Sequence, residues 1–319
     1  MHHFRDWKKD HMTSFYEHLA DATRIAIAGD WHMNILAIDK ILNKVERMNA
    51  QVVLHTGDFG YFPSKEDYST YVAHITERAI KGGYYVVFVE GNHEQYTGTE
   101  GYWWSSETIL TREGLSTLKN KADEHGFVAI TPRIIWATRG AAARIGTNKG
   151  RGVSFIGLGG AGSVYREHAQ MYGFWSPNEH VTNEDVARVA DGVKRLGGSV
   201  DIMLTHDAPA GARVPTVHAI KPDDAEARKL NRRAVEEAEV TRERIAEAVE
   251  IAQPTVLFHG HWHRFDRCAQ TPIGNVTVPM IISLSDETGV NNLYFTDTSL
   301  WEGTEREIEK NLHRGSLWL

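Results

Sequence analysis

The pattern that most constrains this chain occurs five times: a short apolar run that stops at a turn carrying Asp, Asn or His. Ile25 to Ala28 ends in Gly29–Asp30, and Val52 to Leu54 leads to Gly57–Asp58. Tyr85 to Val89 leads to Gly91–Asn92–His93–Glu94. Val200 to Leu204 runs into Thr205–His206–Asp207, and Val256 to Phe258 delivers His259–Gly260–His261–Trp262–His263. Such short runs, bounded by turn residues, suit strands buried on both faces. Between them lie helical patterns. Asn34 to Met48 places Ile35, Ile38, Leu42, Val45 and Met48 at helical spacing, and a second such stretch spans Lys65 to Ile80. Strand, polar loop and helix repeated in this order predict a layered α/β fold. In such folds ligands sit outside the carboxyl ends of the strands.

The middle is less regular. Glu107 to Lys121 reads as helix, and Val128 to Ile130, Ile134 to Ala137 and Val153 to Gly157 read as strands. Gly159 to Pro177 is a loop rich in glycine and aromatics. Asn183 to Leu196 is helical, with Thr182 or Asn183 as its cap. Pro222 to Ile251, charged and Ala-rich, predicts a long helix with one solvent face. Val276 to Leu284 and Asn292 to Phe295 are further strands. Residues 1–23 form an N-terminal extension expected to cap the domain, residues 24–297 the main domain, and residues 298–319 an amphipathic tail.

Composition narrows the class. Hydrophobic residues at 41% and charged residues at 24% are those of a soluble globular chain, and 319 residues can bury a core without staples. The single cysteine, Cys268, rules out an intrachain disulfide and fits a reducing compartment. A formal charge of -7 argues against a dedicated nucleic-acid binder, though a local basic cleft can still take a phosphate. No apolar stretch is long enough for a membrane span, and the start lacks the apolar core of an export signal. A cytoplasmic protein is expected (host cytoplasm, for a phage protein).

The polar ends of the five runs carry the chemistry. Carboxylates and imidazoles together suit divalent metals such as manganese, iron, zinc and nickel. One site needs three or four ligands, so Asp30, His32, Asp58, Asn92, His206, His261 and His263 are a surplus that points to two neighbouring sites. Asp–Gly and Asn–Gly neighbours also mark ordinary loops, but that reading leaves the shared chemistry of five strand ends unexplained.

The arrangement resembles the calcineurin-like metallophosphoesterase superfamily, whose pattern is Asp-x-His, Gly-Asp, Gly-Asn-His-Glu/Asp, a His after a strand, and Gly-His-x-His. Here these read GDWH (29–32), GDFG (57–60), GNHE (91–94), THD (205–207) and GHWH (260–263), in order. The resemblance implies a four-layer α/β/β/α sandwich of two mixed sheets flanked by helices. It implies that Asp30, His32 and His263 hold one metal, that Asn92, His206 and His261 hold a second, and that Asp58 bridges them. It also implies that a bridging hydroxide attacks phosphorus in line, with His93 steadying the phosphoryl charge or protonating the leaving oxygen. Asp207 or Glu94 would orient a histidine or serve its own loop.

The chain departs from the Ser/Thr protein phosphatases of the superfamily, which extend the second motif to Gly-Asp-x-Val-Asp-Arg-Gly. Here Gly57-Asp58-Phe59-Gly60-Tyr61-Phe62 lacks the second Asp and the Arg, so that activity is not expected. The segments GLGGAGSVYREH (157–168) and FWSPNE (174–179) resemble a loop of a microbial and phage branch. That likeness makes Arg166 a substrate-side arginine, with a surface salt bridge as the other reading. Trp175, Trp103 or Trp104 would line an aryl or base pocket, or pack in the core. Gly157, Gly159 and Gly162 also match a dinucleotide fingerprint, with Glu179 as its later acid, but no obvious helix follows. The expected function is metal-dependent hydrolysis of a small or nucleotide-like phosphodiester or phosphomonoester. A nuclease or, against the missing Asp and Arg, a Ser/Thr protein phosphatase on the same scaffold, or a non-catalytic metal-binding module, is the alternative.

Overall fold

The computed structural model describes residues 2–98, 102–104, 109–111, 113–164, 166, 170, 175–214, 232–303, 307, 308 and 310. The first sheet is built from β1 (Arg24–Ala28), β2 (Val52–His55), β3 (Tyr85–Phe88), β6 (Phe127–Ala129), β7 (Ile134–Ala137) and β14 (Leu293–Asp297). A two-stranded ribbon, β4 (Tyr102–Trp104) and β5 (Ile109–Thr111), stands apart. The second sheet holds β8 (Ala142–Ile145), β9 (Val153–Leu158), β10 (Ile202–Thr205), β11 (Val256–His259), β12 (Asp266–Ile273) and β13 (Val276–Ser283). Their orders are β14-β1-β2-β3-β7-β6 and β12-β13-β11-β10-β9-β8. Both are mixed on one plan: four central parallel strands with an antiparallel strand at each edge.

The period-two alternation of strands sorts the core into layers. Ile25 and Ile27 of β1 point the same way as Val52, Leu54 and Val87, and meet Phe155, Ile202, Leu204, Phe258 and Ile282 of the other sheet. Their neighbours Ala26, Ala28, Val53 and Val86 face the opposite way, onto α2 (Ile35–Arg47) and α3 (Tyr68–Gly82). Met203 and Leu257 face α5 (Asn183–Arg195) and α6 (Arg232–Ala252). Helix, sheet, sheet, helix is therefore the layer order. Asn34 starts α2 by accepting the Ala37 N–H at 3.3 Å. Thr182, rather than Asn183, starts α5, in a reciprocal capping box with Asp185. Helix α1 (His2–Asp21) buries Phe15 and Leu19 in the core between the sheets, with the Phe15 ring 5.3 Å from that of Tyr85 and 5.6 Å from that of Phe127.

The helix expected from Glu107 to Lys121 is not formed. Its described part is β5, the single-turn α4 (Leu115–Leu118) and a 3-10 turn at Lys119–Lys121. The N–H groups of Leu115 and Ser116 donate to the carbonyls of Gln95 and Tyr96, so they are not available to extend a helix from residues before them. Residues 222–231 of the expected long helix, 311–319 of the tail, much of the 159–177 loop and the side chains of Trp103 and Trp104 lie outside the described residues. Among the described residues no helix is long and apolar enough to cross a membrane.

Candidate metal centre

The seven ligand candidates leave the carboxyl ends of five parallel strands, three in one sheet and two in the other. After β1, the N–H groups of Trp31 and His32 both donate to the Asp58 carbonyl at 3.0 Å, which ties the first loop to the second. His32, Asp58, His261 and His263 all adopt the left-handed backbone, with φ of 45, 52, 66 and 51°. That conformation is disfavoured for non-glycine residues by on the order of 1–3 kcal/mol each, and it is concentrated here at four of the seven positions. Gly91 and Gly260 serve by close approach: a Cβ at either would collide with the carboxylate of Asp58 or of Asp30.

Asp30, His32, Asp58 and His263 each offer one atom to a common point, all within 4.8 Å of one another. The Nε2 atoms of His32 and His263 are 3.0 Å apart, and His263 Nε2 is 3.2 Å from Asp30 Oδ2. A second group adjoins the first. His206 Nε2 lies 3.1 Å from Asn92 Oδ1 and 3.3 Å from Asp58 Oδ1, and the His261 ring is 5.1 Å from the His206 ring. Asp58 faces both groups, with Oδ2 3.9 Å from His32 Nδ1. The His93 N–H donates to Asp58 Oδ1 at 2.8 Å, and its ring stands 5.4 Å from that of His32.

This donor set fits a cation. Asp30 Oδ1 and Asp58 Oδ2 are buried without a hydrogen-bond partner, a costly arrangement for carboxylate oxygens unless positive charge meets them. Burial pushes the Asp58 carboxyl up, but the imidazoles of His206, His93 and His32 together draw it well below its ordinary value. Burial and the neighbouring His206 hold His261 well below its ordinary value, in the neutral form that ligates metals. Burial also lowers His93.

The loops are laced by buried acids. Glu94 accepts the N–H of Gly60 at 3.1 Å and that of Gly91, and burial with the nearby Asp58 raises its carboxyl to about 8. Asp207 accepts Trp262 Nε1 at 2.9 Å and the Ala208 N–H at 2.7 Å. These bonds give Glu94 and Asp207 loop-bracing partners. Nothing in the sequence pattern points to Asp286, whose Oδ2 is 3.6 Å from His263 Nδ1, and the 157–168 segment gives no sign that its Ser163 hydroxyl accepts from Asn92 Nδ2 at 3.1 Å. Glu179, the acid of the dinucleotide fingerprint, is committed to Ser163 through that residue's N–H at 2.7 Å and hydroxyl at 3.0 Å. Arg166 pairs with Glu237 of α6, and its guanidinium stacks 4.0 Å over the Trp175 ring.

Two sheets between helix layers, with Asp and His gathered where parallel strands from both end, define a metallophosphoesterase-like scaffold. Residues 23–265 match the calcineurin-like phosphoesterase family, and the chain belongs to that family. Metal-dependent phosphoester hydrolysis is the family's general activity, and the Asp/His cluster can hold a metal ion. Among solved structures, a protein of Thermus thermophilus is 10% identical, covers 89% of this chain and 100% of its own, with a TM-score of 0.46. A dimetal phosphatase from Danio rerio is 11% identical, with coverages of 86% and 92% and a TM-score of 0.46. No curated protein matches the chain.

Proposed function

We propose that this chain is a dinuclear metal-dependent phosphoesterase acting on small or nucleotide-like phosphodiesters or phosphomonoesters. The observation that carries the proposal is the Asp58 carboxylate, which presents one oxygen toward His32 and the other toward His206, Oδ2 having no partner. Asp30, His32 and His263 would hold one ion, Asn92, His206 and His261 the other, and Asp58 would serve both; manganese, iron, zinc and nickel suit these donors. Bound there, the ions would supply Lewis-acid chemistry, activating water near neutral pH and stabilising charge on the phosphoryl oxygens. His93, anchored through its N–H to Asp58, takes up a proton and passes it to the leaving oxygen. Arg166 is the substrate-side cation, released from Glu237 when an anion enters.

A net charge of -7 favours a small substrate. One feature favours the nuclease reading instead. Lys40, Lys44 and Arg47 follow one another at helical spacing on α2 and line an open groove with Asn34, two residues beyond His32.

The test is a hydrolysis screen with manganese, nickel, zinc or iron over aryl phosphates, bis-aryl phosphates, cyclic nucleotides and short nucleic acids. Turnover of small esters, abolished by chelation and by Asp58→Asn, is the expected result. Turnover confined to nucleic acid would establish the nuclease. Uniform inactivity with two metals bound would replace the enzyme with a metal-binding module.

A further inference from the structure

The Gly-Gly-Ala-Gly-Ser and Trp-Ser-Pro-Asn-Glu segments (159–163 and 175–179) have no part in the activity proposed above, yet they meet beside it. An asparagine amide has two ends of nearly the same shape, and only its oxygen can ligate a metal. Asn92 is buried, so its neighbours decide which end faces the centre. We infer that Ser163 and Glu179 are a positioning pair that locks the Asn92 amide with its oxygen toward the metal centre. The inference rests on the reading of Asn92 as a ligand.

The polarity runs in one direction. Glu179 is wholly buried, and its two oxygens accept the Ser163 N–H at 2.7 Å and the Ser163 hydroxyl at 3.0 Å. The hydroxyl proton is thereby spent on the carboxylate. What Ser163 Oγ has left is a lone pair, which suits the Asn92 Nδ2 donor 3.1 Å away and would repel the amide oxygen. Asn92 Oδ1 is turned to the other side, 3.1 Å from His206 Nε2. This polarity is that of the ionised carboxylate: burial pushes Glu179 up to about 8, while the Ser163 N–H and hydroxyl and the nearby Arg166 favour its charged form.

A second tie holds the same two loops in register. Arg139, its side chain 10% exposed, binds Glu90, two residues before Asn92, at 2.7 Å. It also donates to the carbonyls of Asn178 and Glu179 at 2.9 and 3.1 Å. Glu179 is thus fixed at its backbone by the arginine that fixes the start of the Asn92 loop. Among the described residues, Ser163 and Glu179 hydrogen-bond to the cluster only through Asn92, so their effect falls on one of the two metal positions.

The test is calorimetric titration of the metal-free full chain with Mn²⁺, supported by the electron paramagnetic resonance of the coupled ion pair. Asn92→Ala is expected to weaken one of two Mn²⁺ equivalents, and His263→Asn the other. Ser163→Ala should weaken the equivalent that Asn92→Ala weakens, by about 10- to 100-fold, the usual effect of losing a partner that orients a ligand. Ser163→Thr, which keeps the hydroxyl, should restore it. In Glu179→Gln the new amide donates to Ser163 Oγ and turns the hydroxyl proton toward Asn92, so the same equivalent should weaken. Adding Ser163→Ala to Asn92→Ala should cost nothing further. Wild-type uptake of both ions by Ser163→Ala, or no recovery in Ser163→Thr, would overturn the positioning role while Asn92 remains a ligand. Wild-type uptake by Asn92→Ala would remove Asn92 from the ligands and the inference with it. Because Ser163→Ala deletes one hydroxyl and leaves the backbone bond to Glu179, it tests the inference even if Glu179→Gln fails to fold.

Discussion

The Nε2 atoms of His32 and His263 face each other across 3.0 Å, although 231 residues separate them in the chain. Both residues hold left-handed backbones, and the Asp30 carboxylate lies against the pair. A cation among these groups replaces a nitrogen-to-nitrogen contact and partnerless carboxylate oxygens with bonds that the unfolded chain cannot assemble. Metal should therefore stabilise the fold. At one hundred times the dissociation constant the gain is about 2.7 kcal/mol per site. A thermal melt should rise on adding Mn²⁺ or Zn²⁺ to chelator-treated protein, and His263→Asn should lose most of that rise. A melt indifferent to metal would contradict the centre.

His93 belongs to the same loop as Asn92 but differs in role. Its N–H binds Asp58, while its ring stands beside His32. Burial lowers it, so the neutral imidazole must take up a proton before giving one. His93→Asn should reduce kcat by about 10²- to 10⁴-fold, the range for a general acid, while metal content stays at the wild-type level. An aryl ester with a good leaving group, which needs no proton, should lose much less. Loss of metal in parallel with activity would place His93 among the ligands instead.

The metal loops are legible in the sequence because each ligand is local to a strand end. Asp30, Asp58 and Asn92 each follow an apolar run by a few residues, and the turn chemistry is written beside them. What stays hidden depends on distant partners or edges. Strand β12 is an edge strand, alternately exposed along Asp266–Ile273 and containing Pro272, so it lacks the apolar run that announces a central strand. Ser163 meets Asn92 across 71 residues, and Arg166 meets Glu237 across the same separation. No local spacing encodes either contact. The 107–121 stretch misleads because its helical pattern carries no trace of Gln95 and Tyr96, whose carbonyls take its N–H groups.

Arg166 separates two roles by kinetics. As an ion pair with Glu237 at the surface, it contributes only about 0–1 kcal/mol to stability. As a cation for substrate phosphate, it contributes a charge-assisted bond worth about 1.5–3 kcal/mol. Arg166→Ala should then raise KM by about tenfold or more with kcat nearly unchanged, and leave the melting temperature within a few degrees. Glu237→Gln, which frees the guanidinium, should lower KM. Unaltered KM in both variants would reduce the pair to a surface contact.

Acid stability reports on the clamp behind the site. Asp185 is buried against Arg139 at 2.8 Å and accepts the Thr182 N–H at 2.9 Å. Burial pushes its carboxyl up, but Arg139 and the Thr182 cap more than offset this and hold it at about 2, below the ordinary 3.8. The folded chain thus releases this proton more readily than the unfolded one. The stabilisation is fully present above pH 3.8 and is lost as pH falls from there through about 2. A shift of this size corresponds to about 2 kcal/mol. Denaturant unfolding at fixed pH should show Asp185→Asn losing stability at neutral pH, by about 1.5–3 kcal/mol, the range for a lost hydrogen bond to a charged group, because Glu90 still neutralises Arg139. Between pH 4 and pH 2 the variant's stability should fall less steeply than that of the wild type. Equal slopes in that window would mean that Asp185 titrates as an ordinary carboxylate and that Arg139 is neutralised by Glu90 alone.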